Sequence, residues 1–526
     1  MANRKHFFHR FQATAQFEDE YYDEIKYYEP WVSYTREDTD VNYNKSERQK
    51  LLETPLTFNI LSNGSIYWKT TDTSLTKTIE YKKNDGSWTP ITSSTGGTSI
   101  SVSEGDVVRF RGDNTTYASD SDETKYNGFS GSTASFDVVG NIMSLIDKDK
   151  KDFITAATLT TSFTFANLFS ECTGLTSAEN LLLPATTLTE SCYYCMFRNC
   201  TGLIAAPEFS VVTLAKNCYN KMFNGCTSLT AAPELPNMIL AEGCYNSMFL
   251  DCTNLVETTK LPALVLEPYC YNKMFAGCTS LEATPILPAT KVSDYCYWGM
   301  FSGCTSLTSV PPILPATTLA NHCYQLMFSH CTSLTTAPAL SATALTYYGC
   351  QGMFWGCTSL TTAPELPATT LSGHCYEYMF RECTSLTSAP TLPALTATQE
   401  CYNGMFSGCT SLTSAPATLP ATTLSYACYN EMFEGCTNLT TAPELLYSGV
   451  LPSRCYSYMF NGCTNLNYIK CLASPPTDYT SVDAPTLRWV ENVATSGTFV
   501  RKAGANWNRG VSGIPNGTDW TIIDNT

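Results

Sequence analysis

Apolar and polar residues follow one fixed order that recurs along most of the chain. In the unit Leu366–Pro390, LPATTLSGHCYEYMFRECTSLTSAP, the leucine, cysteine, tyrosine, methionine and phenylalanine positions are separated by variable polar residues, glycine and serine. The second cysteine of each unit falls at 172, 200, 226, 252, 278, 304, 331, 357, 383, 409, 436 and 463, which gives a period of 26 to 28 residues. A fixed period of this size is typical of a solenoid, in which each coil buries its apolar face only against its neighbours.

The fixed positions predict how one coil is built. The Leu, Met, Phe and Cys side chains should point inward, and the chain should turn at Pro and Gly. Stacked coils place each fixed residue above its equivalent at about one strand spacing, about 4.8 Å, so two columns of cysteines should run through the interior. A thiol is small and can donate a weak hydrogen bond to a carbonyl of the next coil. We therefore interpret the cysteines as internal spacers.

Two coils depart from the pattern. In the coil at 345–357, Gly349 stands where a cysteine is expected, and the cysteine moves one place along. The first coil, 163–175, has Leu-Phe in place of Met-Phe and lacks the earlier cysteine. Terminal repeats of a solenoid are atypical because one of their faces has no neighbour. We therefore predict that the first coil caps the array.

The flanking segments have other patterns. Residues 1–53 are rich in aromatic and charged residues without a period, which predicts an extended arm or a disordered tail. Residues 54–141 contain short alternating stretches and an Asp-Gly turn signal, which predict a small immunoglobulin-like β-sandwich of about five to eight strands. Residues 142–161 are expected to form a linker. Residues 472–526, with SGTFVRK and DWTIIDN as strands, are expected to cover the last coil.

The repeat resembles a known family. The core FSGCTSL, at 301–307 and 406–412, is similar to the BspA-like, Treponema pallidum-type leucine-rich repeat, and the resemblance covers residues 163–471. It implies a solenoid of a kind that occurs on bacterial surfaces and in gut-phage proteins and that serves as an adhesive or binding module. The chain departs from the common pattern in its longer period and in its CYxxMF segment, where many members have Ala-Phe.

The order of the segments carries a second resemblance. An aromatic arm, a β domain and a BspA-like array resemble proteins of phages that infect gut Bacteroidales, which implies a virion protein that projects a recognition module. Residues 1–53 would then dock into other virion proteins, because aromatic anchors dominate interface energetics. The candidate attachment residues are Tyr21, Tyr22, Tyr27, Tyr28 and Trp31.

Composition and charge narrow the choice of partner. The net charge of -16 makes nucleic acid and anionic membranes poor partners, and no apolar run is long enough to span a bilayer. The N-terminus lacks the apolar segment of a secretory signal, so we expect folding in a cytosol. All 25 cysteines lie between Cys172 and Cys471, and their odd number and unsecreted context favour reduced, buried thiols over a disulfide scaffold.

Sites for chemistry are few. His322 and His330 lie eight residues apart in one coil, and we favour two solvent-facing histidines over a metal pair. The cysteine pairs are also eight apart and lack the C-x₂-C spacing of zinc knuckles. The segment 146–153 has the spaced aspartates of a calcium loop but lacks its Gly and Glu. Catalytic fingerprints are absent, so we expect no enzyme activity, no cofactor and no metal.

The variable slots of the coils suggest a binding surface instead. Stacking should align them into a strip, where an exposed ring could stack on a sugar or anchor a protein contact. The alternative is that these aromatics are ordinary surface residues packed on their neighbours. The candidate ligand-binding residues are Tyr269, Tyr295, Trp298, Tyr347, Tyr348, Trp355, Tyr378, Tyr426 and Tyr458, with His322 and His374 in similar slots.

Together these patterns predict a mainly β protein: an extended arm, an Ig-like sandwich and a leucine-rich-repeat solenoid over 162–471, of about 11–12 coils with a C-terminal cap. The predicted function is that of a non-enzymatic virion-surface structural protein, a head or tail fibre or decoration protein. Its solenoid would bind a host-cell or mucosal glycan or protein, and its oligomeric state is left open. The alternatives are a bacterial cell-surface adhesin and, third, a carbohydrate-active enzyme with the solenoid as accessory.

Overall fold

The computed structural model describes residues 47–119, 124–209, 213–516 and 519–525. Residues 51–526 form one compact unit, which is separate from residues 1–50, and residues 47–53 are helical. The unit 51–526 is mainly β, as the sequence predicts. Among the described residues, no helix has the length and apolar character needed to cross a membrane.

The N-terminal part of the unit 51–526 contains two antiparallel sheets. Its strands are β1 (Leu56–Ile60), β2 (Gly64–Thr70), β3 (Thr78–Lys83), β4 (Thr89–Thr92), β5 (Thr98–Val102), β6 (Val107–Arg111), β7 (Asn127–Gly128) and β8 (Phe136–Asn141). One sheet has the order β4-β3-β6-β1-β8 and continues into the solenoid, and the other has the order β5-β2-β7. The predicted Asp85-Gly86 turn joins β3 to β4, where the Gly86 amide donates to the Lys83 carbonyl.

Aromatic side chains fill the space between the two sheets. The ring of Phe58 lies 4.8 Å from those of Phe110 and Phe129, and 4.5 Å from that of Phe136. Alternation along the strands places these residues inside, since successive side chains of a strand point to opposite faces. This arrangement is the β-sandwich that the turn signals predict.

The segment between sandwich and solenoid is packed. Residues Ile142–Leu145 form a buried 3₁₀ helix, and Lys150–Thr155 form a short α-helix. Phe153 and Leu159 are buried in the same hydrophobic core as the sandwich and the coils. The segment 142–161 is therefore an integral part of the core and not a free tether.

The sandwich covers the first coil. Strand β8 pairs in parallel with β9 (Leu175–Leu182), which adds a sixth strand to the larger sheet. The Phe129 amide donates to the Leu168 carbonyl, and the Cys172 thiol donates to the Phe129 carbonyl at 3.0 Å. We predicted that the coil at 163–175 caps the array. It is not the outermost layer, because the sandwich continues the stack beyond it.

Each coil consists largely of turns. Alternate amides reach the next coil, as Phe165 and Asn167 do to the carbonyls of Cys192 and Tyr194, both at 2.8 Å. The amides between them close local turns, as Ala166 does to the Phe163 carbonyl at 3.2 Å. This alternation satisfies the buried backbone groups and places residues with positive φ four positions apart within the turn segment of each coil, as at His322, Leu326 and His330. The remaining strands of the coils are two residues long: β10 (Ile313–Leu314), β11 (Ala339–Leu340), β12 (Thr396–Ala397), β13 (Thr418–Leu419), β14 (Thr423–Leu424) and β15 (Glu444–Leu445).

The fixed residues form continuous interior columns. From Phe169 to Phe460 the phenylalanine rings stack with centroids 5.3 to 5.8 Å apart. A parallel column of tyrosines is interrupted where Cys350 takes the tyrosine position. The predicted inward orientation of Leu, Met, Phe and Cys is confirmed.

The cysteines act as spacers between coils. The second cysteine thiol of each coil, twelve in all among the described residues, donates to a phenylalanine carbonyl at 3.0 to 3.2 Å. We predicted an acceptor in the next coil, but the acceptor lies in the preceding layer of the stack. All 25 cysteines lie within the described residues, are buried and form no disulfide. Burial raises the pKa of the thiols in the two cysteine columns, to about 12 for Cys304 and Cys357.

The C-terminal residues cover the last coil. Strands β16 (Tyr468–Cys471), β17 (Gly497–Lys502) and β18 (Trp520–Asn525) extend the parallel sheet, and the last two are the predicted strands. The buried ring of Trp489 lies 6.2 Å from the rings of both Tyr456 and Phe460. One side chain therefore closes the tyrosine and the phenylalanine columns together.

Candidate binding surface

A row of stacked rings occupies one variable position in five successive coils. We call these residues the aromatic ladder: Tyr269, Tyr295, His322, Tyr348 and His374. Their backbones share φ values of 57 to 59°, the left-handed region that non-glycine residues rarely adopt. Neighbouring ring centroids lie 4.7, 4.3, 4.8 and 4.6 Å apart. The coil backbone imposes the conformation, and the conformation aligns the rings.

Most ring faces of the ladder are covered by the neighbouring rings of the ladder. Tyr295, His322 and Tyr348 each have a stacked ring on both sides. Tyr348 and His322 are partly buried and His374 is buried, while Tyr347 is 43% exposed and meets Tyr348 edge to face at 4.5 Å. The ring of Tyr347 also lies over Gly373, where a Cβ would clash with it. What the ladder offers to solvent is therefore a row of ring edges and phenol hydroxyls.

Trp298 extends the ladder sideways. Its ring meets Tyr295 edge to face at 5.7 Å, and the Lys273 ammonium lies 4.6 Å from the Trp298 ring centroid. A cation at this distance is attracted by the ring quadrupole. The ladder, Trp298 and Tyr347 thus form one connected surface, which contains five of the nine predicted ligand-binding residues.

Trp355 and Tyr378 belong to a second group. The Arg381 guanidinium lies 5.0 Å from the Tyr378 ring and 6.0 Å from the Trp355 ring. The same guanidinium is 3.8 Å from the Glu431 carboxylate. His330 is exposed and lies 5.6 Å from Trp355. Arg381 therefore organises this group, and sequence analysis did not select it.

Tyr426 and Tyr458 lie apart from both groups. Tyr426 is 39% exposed, and its hydroxyl accepts a hydrogen bond from the Arg454 guanidinium at 3.2 Å. Tyr458 is partly buried at a left-handed position of the last coil. The nine predicted residues therefore do not form the single continuous strip that we expected.

Burial keeps three of the candidate tyrosines, Tyr269, Tyr348 and Tyr378, protonated. Packing against neighbours raises the pKa of Tyr348 to about 12 and moves the pKa values of Tyr269 and Tyr378 upward. These phenols stay protonated across the physiological range. They can therefore serve a ligand as hydrogen-bond donors.

A polar row accompanies the ladder and was missed from the sequence. At the position after the Cys-Tyr pair, Gln325 donates to Gln351, and Gln351 donates to the Glu377 carboxylate at 2.7 Å. From the other side, Asn430 donates to Asn403 at 2.9 Å, and Asn403 donates to Glu377 at 2.8 Å. We call these five residues the amide row. The repeat period aligns them, and only Glu377 carries a charge.

The two predicted histidines differ in environment. His322 is a partly buried rung of the ladder, and its Nδ1 lies 2.8 Å from the Gln325 side-chain oxygen. The prediction that His322 faces solvent is therefore wrong, because stacking in the ladder covers its ring. His330 is exposed. The candidate attachment residues Tyr21, Tyr22, Tyr27, Tyr28 and Trp31 lie outside the described residues and remain a prediction.

Comparison with known proteins identifies the repeat. The family described as "BspA type Leucine rich repeat region (6 copies)" matches residues 165–308, 270–365, 300–440 and 376–481. These overlapping matches span more than half of the 526 residues. No curated protein matches the chain.

Solved structures with some similarity are also leucine-rich repeat proteins. A leucine-rich repeat protein from Bacteroides ovatus ATCC 8483 is 18% identical, with 65% of this chain and 82% of that chain covered and a TM-score of 0.41. A leucine-rich cell surface protein from Faecalibacterium prausnitzii A2-165 is 17% identical, with 55% and 83% covered and a TM-score of 0.27. On the strength of its repeat, the chain belongs to the BspA-type leucine-rich repeat family.

Proposed function

We propose that this chain is a non-enzymatic binding protein that holds a protein ligand against the aromatic ladder, Trp298 and Tyr347. The observation that supports this most is the ladder, a partly buried row of aromatic rings at one variable position of five successive coils. The interior columns already join these coils, so stacking alone does not require rings at the surface. Tyrosine and tryptophan are enriched at the centres of protein interfaces.

The geometry favours a protein ligand over a glycan. A sugar ring stacks on a free aromatic face. The inner rungs have a ring on both faces, and the Trp298 ring has Lys273 above it. Ring edges, phenol hydroxyls and the Lys273 ammonium suit hydrogen bonds and edge contacts with a protein.

Binding to treated cells tests the class of ligand. Fluorescently labelled full chain would be added to gut Bacteroidales cells and to mucus that have been treated with protease, treated with periodate or left untreated. Because we propose a protein ligand, protease treatment should abolish binding and periodate oxidation of glycans should leave it. Loss of binding after periodate alone would contradict the protein ligand and favour a glycan.

The location of the protein is a second part of the proposal. We place it on the surface of a virion, as the resemblance of the segment order to gut-phage proteins implies, and a bacterial cell-surface adhesin is the alternative. Immuno-electron microscopy with an antibody to the solenoid separates the two. Label on phage heads or tails would support the virion protein, and label on the cell envelope alone would support the adhesin.

Attachment through residues 1–53 is the third part. In the virion proposal these residues dock the protein into its assembly through their aromatic side chains. Deletion of residues 1–53 should leave a folded chain that no longer joins the particle, measured by quantifying the protein in purified virions. Unchanged incorporation of the deleted protein would contradict the docking role.

A further inference from the structure

Three side chains with metal-binding atoms meet at the end of the aromatic ladder. They are His374, its last rung, Glu377 three residues on, and Glu400 at the ladder position of the next coil. His374 Nδ1 lies 3.0 Å from one oxygen of Glu377 and 3.7 Å from one oxygen of Glu400. The three ligating atoms all lie within 4.8 Å of one another, and no other group of three such side chains occurs among the described residues.

Two of the three side chains are buried. His374 and Glu377 have side-chain exposures of 10% and 7%, and Glu400 has 22%. Burial of a carboxylate is costly unless the charge is paired or coordinates a metal. Glu400 at the rim leaves the cluster a route to solvent.

The amide row fixes one ligand in place. Gln351 and Asn403 donate to the two oxygens of Glu377 at 2.7 and 2.8 Å. Each carboxylate oxygen has two lone pairs, so the oxygen that faces His374 keeps one for a cation. Hydrogen-bonded carboxylates of this kind are typical of metal ligands, since outer contacts orient them.

A proton on His374 Nδ1 reaches only one of the two carboxylates. His374 Nδ1 can carry one hydrogen, and the Glu377 oxygen at 3.0 Å is within hydrogen-bond distance whereas the Glu400 oxygen at 3.7 Å is not. A protonated imidazole would also leave two carboxylates facing one positive charge. A divalent cation would meet both carboxylates and the ring nitrogen together.

We propose that His374, Glu377 and Glu400 bind a divalent transition-metal ion of the Zn²⁺ type. Tetrahedral Zn²⁺ at about 2.1 Å from nitrogen and oxygen ligands places those ligands about 3.4 Å apart. The two observed separations from Nδ1, 3.0 and 3.7 Å, lie on either side of this value. An imidazole in the set favours a transition metal over Ca²⁺ or Mg²⁺. With three protein ligands, the fourth position is left for water or a ligand group.

The chain contains its own matched control. His322 has the same backbone conformation and the same contact with the residue three positions on. That residue is Gln325, and the next ladder position is Tyr348, so this rung has no carboxylate. A metal should therefore bind at His374 and not at His322.

Titration of the full-length protein with Co²⁺, followed by Zn²⁺ competition, tests the proposal. We expect one ion per chain with the visible bands of nitrogen and oxygen coordination, and no thiolate-to-cobalt charge transfer. Glu400→Gln, at the rim, should weaken binding by more than about 100-fold, since loss of even an outer-shell partner costs about 10- to 100-fold. His322→Gln should bind as the wild type does.

Either of two other outcomes would contradict the proposed metal site. Absence of Co²⁺ binding by the folded wild type would show that the cluster is held by hydrogen bonds alone. Equal binding by Glu400→Gln, or a thiolate band, would place the ion elsewhere. Circular dichroism of each variant confirms that weaker binding is not loss of fold, and Glu382→Gln, at an exposed position of the coil that contains His374, controls for the lost charge.

Discussion

The phenylalanine column and the aromatic ladder are two rows of stacked rings built by the same coils. In the column the rings are fully buried, identical from coil to coil and 5.3 to 5.8 Å apart. In the ladder they are mostly part-exposed, alternate between tyrosine and histidine in its second half, and lie 4.3 to 4.8 Å apart. One backbone repeat thus supports a uniform row and a varied one.

The difference separates structure from recognition. Every interior position has the same neighbours above and below, so the same side chain fits in every coil and substitutions leave cavities. A surface position has one open side, so its side chain is free to vary. We infer that the column holds the coils together and that the ladder and amide row determine what this chain binds.

Alkaline pH should affect the interior most, because many thiols act together. The folded-state pKa values of the thiols are raised, to about 12 for Cys304 and Cys357, whereas a thiol in the unfolded chain has a pKa of about 8.5. The thiols' contribution to stability is therefore complete below about pH 8.5 and is lost as the pH rises toward the folded value. Each thiol should remove about 1.4 kcal/mol per pH unit in that window.

Urea unfolding under reducing conditions at about pH 7 and about pH 9.5 measures this loss. We expect the midpoint to fall steeply between the two. An unchanged midpoint would mean that the thiols are not buried in solution, or that they are oxidised.

Phe354→Ala should produce the largest loss from a single substitution. Phe354 is fully buried, with stacked rings at 5.7 Å on both sides, so truncation leaves a cavity that costs about 3–5 kcal/mol. Tyr347→Ala, in the same coil but at an exposed site, should cost less than about 1 kcal/mol. Similar losses in the two variants would contradict the distinction between column and surface.

Much of this architecture is evident from the sequence, for a physical reason. The repeat period and its apolar positions define the interior of a coil, since each coil meets only copies of itself. The strands at SGTFVRK and DWTIIDN follow from their alternation and are confirmed. The turn-rich backbone of CYxxMF is not evident, because its left-handed positions are filled by Tyr, His, Lys and Glu as well as Gly.

The surface was harder to foresee. Sequence analysis selected aromatic residues one at a time, whereas the ladder and the amide row depend on which residue stands one coil away. Aligning the coils would have placed Glu377 beside Gln351 and Asn403. The grouping of Trp355 and Tyr378 around Arg381 depends on side-chain reach, which spacing does not give.

Glu377→Gln should have an intermediate effect on stability. The two oxygens of Glu377 accept hydrogen bonds from Gln351 and Asn403. A glutamine at this position has only one oxygen, so its NH₂ group would face the NH₂ group of Gln351 or of Asn403. A flip of Gln351 would only move the conflict to Gln325. An unsatisfied buried group costs about 1–3 kcal/mol, and Glu382→Gln at an exposed site should stay within about 0.5 kcal/mol. A loss below about 0.5 kcal/mol for Glu377→Gln would contradict the direction of the hydrogen bonds.

Tyr295→Ala should reduce stability less than Phe354→Ala does. It removes two stacked contacts and the edge-to-face contact with Trp298 at a partly buried site, each worth about 0.5 kcal/mol, the low end for aromatic pairs. Chemical denaturation of this variant beside Phe354→Ala measures the contrast. A loss as large as that of Phe354→Ala would make the ladder a structural element like the column.

The most direct test of the account compares binding by two double variants of the full chain. Tyr295→Ala/Tyr348→Ala removes two inner rungs, and Thr335→Ala/Thr361→Ala changes two exposed threonines on another part of the coils. Binding of each to cells that bind the wild type would be titrated after both are shown to be folded. The account predicts that the ladder variant binds at least about tenfold more weakly, as loss of interface hot spots does, and that the threonine variant binds like the wild type. Wild-type binding by the ladder variant would contradict the claim that the ladder is the recognition surface.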